Sequence, residues 1–239
     1  MNTKTQQKNK NRFLEGLDFL SYGLEIFAVI GFELLLAYVI EPKLYGVEAG
    51  DFKSYTAMQS IIHWIITCTG WLLGAYLVVK ECAKKSGVDL MQNLKEKSLM
   101  DGVRQMKLYQ GILLIVGTVL CLIATWIDWD GSKVLKEFEH KGLLLFSFQY
   151  FYYLVEVLLV ILIIIFGQYA FEKWFKNDKI PFGGILVGLT WGLGHWFTKG
   201  TLGDGISTAI GGFVFGSAYL LTNRNFKLAY LFLCIMFIL

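Results

Sequence analysis

The sequence predicts an all-α, polytopic helical membrane protein with about seven transmembrane helices. Three observations predict it. Apolar residues make up 55% of the 239-residue chain and charged residues only 17%, for a mean hydropathy of +0.53. Several apolar runs reach the ~20 residues needed to cross a ~30 Å hydrocarbon core. Lysine and arginine, finally, are dense in every second segment between those runs, as a fixed membrane orientation requires.

The first dozen residues, MNTKTQQKNKNR, are polar and basic. No small-residue cleavage site follows the first apolar run, so residues 19–40 read as a retained span rather than a signal peptide. Further spans are expected at 56–79, 108–127, 143–170, 182–197, 205–222 and 226–239. Pro42 and Pro181, the only prolines, fall just outside spans, where a missing N–H does no harm. The last span is short and ends at Leu239 without a polar flank. Between spans two and three runs KECAKKSGVDLMQNLKEKSLMDGVRQMK, residues 80–107. Its mixed charges and scattered Val, Leu and Met read as a surface helix along the inner leaflet, or as a solvated connector. Sixteen of the 22 basic residues lie in the N-terminal tail and the even-numbered connections, six in the others. The chain is therefore expected in a cell membrane, with its N-terminus cytoplasmic and its C-terminus outside. Residues 1–142 form a three-helix region carrying the cytoplasmic loop 80–107, and 143–239 a helical core.

The four cysteines, Cys68, Cys82, Cys121 and Cys234, show no paired spacing, which argues against a disulfide framework and a thiolate zinc site. No glycine loop for phosphate follows a strand and nothing resembles a nucleic-acid module, so the basic residues belong to topology and no nucleic-acid partner is expected. The lipid bilayer is the first partner, a membrane protein or peptide the second.

Glycine concentrates in 183–225. Gly184, Gly188 and Gly192 recur every four residues, and Gly212 and Gly216 repeat the spacing. Small residues at this spacing let two helix backbones approach closely in lipid, so a tight hairpin is expected, with His195 inside it. Other ionisable or amide residues fall inside spans as well: Glu25, Glu33, Gln59, His63, Gln149 and Glu156. Charge in hydrocarbon is costly and marks either function or an interior hydrogen-bond network. The orientation sets Glu33, His63 and His195 in the outer half of the bilayer and Glu156 near its middle. A turn near Lys176 folds spans four and five antiparallel, which brings Glu156 and His195 to one depth. Two readings stay open. The groups hold spans in register, or they activate water, through a bound divalent metal such as Zn or by general-base chemistry.

Three stretches carry a family resemblance. Trp191-x-x-x-His195 resembles the aromatic-x-x-x-His motif of the CAAX protease and bacteriocin-processing (CPBP, or Abi) intramembrane proteases. GGFVFGSAYLLTN, residues 211–223, is similar to that family's next helix and turn, and GQYAFEKWF, residues 167–175, to the segment after its Glu-Glu-x-x-x-Arg-Gly motif. The resemblance covers about 145–239 and implies a CPBP-like core there. Such enzymes use two adjacent glutamates, a histidine on the next helix and a final His-x-x-x-Asn. Here Ile161 and Leu162 stand at the glutamate positions and Phe166 at the arginine. A register using Glu156 keeps one glutamate beside Val155 or Val157, and Leu233–Phe237 holds neither histidine nor asparagine. The resemblance thus implies a catalytically degenerate member, acting as a membrane partner or an immunity-type protein. The alternative is an active intramembrane endopeptidase with His195 and Glu156 catalytic and with His195, Glu156, His63 and Glu33 as metal ligands. A small proton-coupled transporter is the third reading, although matched halves or interrupted helices in corresponding positions are not evident.

Overall fold

The computed structural model describes residues 3–239, with side chains from Asn11 onward except at 93 and 96. Among the described residues the chain is all-helical, without strands. In order come α1 (Thr3–Ile30), α2 (Phe32–Leu35), a π-helical turn (Leu36–Ile40) and α3 (Glu41–Tyr45), which run on as one rod. Then come α4 (Ala57–Ser86), α5 (Leu90–Glu96), α6 (Leu99–Gln105), α7 (Leu108–Asp128) and α8 (Lys133–Phe175). The chain closes with α9 (Phe182–Val187), a second π turn (Gly188–Gly192), α10 (Leu193–Lys199), α11 (Leu202–Leu221) and α12 (Phe226–Ile238).

Side chains set the starts of these helices. Thr56 accepts the Gln59 backbone N–H while Gln59 accepts that of Thr56, a reciprocal cap that opens α4. Gln59 is thus spent on the helix end rather than on the face of His63. Ser132, Thr201 and Asn225 cap α8, α11 and α12 without the return bond, each side chain accepting one orphan backbone N–H. Gly142 interrupts α8 at φ 69°, a conformation open to glycine, and so separates Lys133–Lys141 from the long segment that follows. The break coincides with the expected boundary at 142, yet α1 and α4 pack directly on α8 across it.

Four helices are long and apolar enough to cross a membrane: Asn11–Tyr45, Ala57–Ser86, Leu108–Asp128 and Lys133–Phe175. The three remaining expected spans are helical too, but α12 is short, α11 is rich in Gly, Ser and Thr, and the fifth is broken by its π turn. Loop 80–107 differs from the single surface helix expected. α4 extends to Ser86, and α5 and α6 follow as two short helices. α6 and the start of α7 are tied to the turn after α11: Asn225 Nδ2 donates to the Ser98 carbonyl (2.9 Å), Asn223 Nδ2 to that of Gln105 (3.0 Å), and Gln110 Nε2 to Asn223 Oδ1 (2.9 Å).

The core is built around α8. From Val155 to Phe166 it is buried almost without interruption, and α1, α4, α9, α11 and α12 pack around it. The glycine hairpin forms as its spacing predicts. A Cβ on Gly216 would stand 2.3 Å from Gly184 Cα, one on Gly212 2.9 Å from Gly188 N, and one on Gly192 2.6 Å from Ala209 Cα. The backbones touch along α9–α10 and α11, and no larger residue could occupy those positions.

Candidate functional site

Polar side chains gather around the half of α8 that lies toward Ser132. On one side stands His63, 2% exposed, between two carboxylates. Its Nδ1 lies 2.8 and 3.0 Å from the two oxygens of Glu41, and its Nε2 is 3.5 Å from Glu33. Tyr55 donates its phenol to Glu41 (2.9 Å), and Tyr152 donates to both oxygens of Glu33 (2.9 Å each). Burial, followed by the bond to Glu41, raises the Tyr55 phenol above its ordinary pKa, so it stays a donor.

Glu41 was not among the expected site residues, because Pro42 marks it as lying beyond the span. The π turn explains its place. On an ideal helix eight residues turn through about 800°, which would leave Glu41 about 80° away from Glu33. A π turn takes one residue out of register, and the offset falls to about 20°, so both carboxylates face His63.

A second cluster lies where the start of α8 meets the end of α12. Glu137, 4% exposed, accepts from Gln149 Nε2 (2.9 Å), Tyr150 (3.0 Å) and Tyr153 (2.9 Å). Lys141 donates to Gln149 Oε1 (2.6 Å). Lys133 donates to the Phe237 carbonyl (3.2 Å), with its ammonium 4.5 Å from the centre of the Tyr153 ring. Within the connection 128–142, Lys133 and Glu137 are buried and Lys141 half-buried, each with a partner, while Asp130, Lys136, Glu139 and His140 stay exposed.

Between the clusters sit Glu156 and His195, and Trp191 joins them. Glu156 Oε1 accepts the indole N–H at 2.9 Å. His195 Nδ1 lies 2.9 Å from the Trp191 carbonyl, and the two rings are 4.5 Å apart. A carbonyl only accepts, so Nδ1 carries the proton and Nε2 of the neutral ring keeps its lone pair. Glu156 and His195, expected at one depth, thus share Trp191 as a neighbour. That neighbour belongs to the second π turn, Gly188–Gly192, which directly precedes His195.

Of the four expected metal ligands, Glu33 and His63 meet, while Glu156 and His195 share Trp191. A metal ion needs donors converging on one point. The His63 nitrogens instead face carboxylates on opposite edges of the ring, and Glu156 receives an indole donor. Among the described residues no three His, Cys, Asp or Glu side chains are grouped to hold an ion, so this arrangement does not fit a zinc site. Ile161 and Phe166, at positions where the resembled family has charge, are fully buried apolar core. Comparison with protein-family models, with curated proteins and with solved structures found no match.

Proposed function

We propose that this chain is an integral membrane protein of seven spans, oriented with its N-terminus in the cytoplasm and resembling CPBP-type intramembrane proteases without their hydrolytic activity. It acts as a membrane partner, in the manner of an immunity-type protein, and its buried Glu, His and Tyr groups hold the helices in register. The observation that supports this reading most is Trp191. Its N–H occupies Glu156 and its carbonyl occupies His195, so the acid and the imidazole are both bonded to the hairpin backbone or ring. A general base must reach the proton it abstracts, directly or through one water, and one oxygen of this carboxylate is already held by the indole.

One observation favours a second reading, the active endopeptidase. Nε2 of His195 retains a lone pair and the residue is only partly buried, which leaves a base next to a buried acid. Purified wild type, His195→Ala and Glu156→Gln separate the two. Each is assayed for cleavage of a membrane-peptide library and for melting temperature in detergent. The proposal expects no cleavage by any of the three. Wild-type cleavage lost in both variants with melting unchanged would replace it by the peptidase.

A further inference from the structure

An apolar groove lies away from the polar clusters, between α7 and α11. It has a volume of about 360 Å³, with Leu113, Gly117 and Leu120 along one wall and Val214, Ser217 and Leu221 along the other. Lys179 and Pro181, in the turn between α8 and α9, close one end. We propose that this groove holds an acyl chain of an anionic phospholipid, with the headgroup phosphate drawn to Lys179.

The groove's volume falls in the range of about 300–1,000 Å³ common to small-ligand sites. The chemistry excludes polar solutes. Ser217 is the one hydroxyl in the wall, and it already donates to the Phe213 carbonyl at 2.9 Å. The charge selects the headgroup. Among the described residues Lys179 is exposed and makes no ion pair, and its backbone N–H binds Asn177. Lys107, likewise exposed and in no ion pair among the described residues, stands at the start of α7. A basic pocket at the membrane surface attracts acidic headgroups, and each nearby lysine contributes about five-fold in binding.

The proposal rests on the membrane reading and is tested on the full chain in detergent, by native mass spectrometry with added phosphatidylglycerol or phosphatidylcholine. Wild type is expected to retain phosphatidylglycerol preferentially. Lys179→Ala should lower that retention about five-fold and leave phosphatidylcholine unchanged. Gly117→Leu should abolish retention of both, because a Cβ there meets only Val214 Cγ1 at 3.5 Å and the longer side chain fills the groove. Ser217→Leu fills the opposite wall from a half-buried position and serves if Gly117→Leu does not fold. Equal phosphatidylglycerol retention in wild type and Lys179→Ala would overturn the proposal. So would a wild-type dimer that either groove-filling variant converts to monomer, since a second copy would then occupy the groove. A chain that stays monodisperse without detergent would instead overturn the membrane reading itself.

Discussion

α7 and α8 are both apolar enough to cross a bilayer, yet they do opposite things. In the most apolar stretch of α8, 78% of residues are buried within the protein; in that of α7, 17% are. Hydropathy does not separate them, because lipid tails are as apolar as leucine and offer a helix no water to escape. Polar content does. α8 carries Glu137, Gln149, Tyr152, Tyr153 and Glu156, each with a hydrogen-bonding partner on another helix or across its own kink, whereas α7 spends its buried polar groups on local bonds and on the turn after α11. The centre of this bundle is marked by what cannot face lipid.

That contrast is broken most severely at the carboxylates facing α8. Replacing His63 by alanine leaves Glu41, which is 2% exposed, with only the Tyr55 phenol as a partner, and breaking a buried pair costs about 3–5 kcal/mol. His63→Ala should therefore fail to accumulate or melt far below wild type in detergent. Unchanged melting would mean that the two carboxylates find other partners. Next in size is the packing itself. Phe166→Ala on α8 removes a fully buried ring and should cost about 2–4 kcal/mol, mostly through lost contacts since lipid offers no transfer term. Leu120→Ala on α7, at a position 60% exposed, should leave the melting temperature within error. Comparable losses at both sites would erase the distinction between the two helices. In the glycine hairpin, Gly216→Leu forces backbones apart and should cost about 1–3 kcal/mol or more, while Gly211→Leu, with nothing within 4 Å of its Cβ, should be nearly neutral. The comparison of their melting curves tests whether spacing, rather than glycine content, builds the hairpin.

Much of this architecture was legible in the residues. Helices occupy every expected span, and the every-fourth glycines pack where their period places them, because a period of four is a face of a helix. The chain reversal expected near Lys176 is present, and the two residues it was expected to bring level, Glu156 and His195, share Trp191 as a neighbour. What stayed hidden depends on phase and on kinks. Glu41 reaches His63 only because a π turn shifts its face, and nothing in LAYVI announces that turn. The burial of Lys133 and Glu137 goes with the break at Gly142, which sequence spacing does not specify. Trp191 belongs to a motif legible in the sequence, but its place between acid and imidazole is a matter of side-chain geometry.

Trp191 therefore offers the most direct test of the account. Trp191→Phe keeps an aromatic ring in the hairpin and removes the one N–H that Glu156 accepts. Hydrogen bonds to a charged group contribute about 1.5–3 kcal/mol, so the variant should melt well below wild type, and combining it with Glu156→Gln should add much less than the sum of the two single losses. Wild-type melting in Trp191→Phe, or strict additivity in the double variant, would contradict a structural role for the Glu156–Trp191–His195 arrangement.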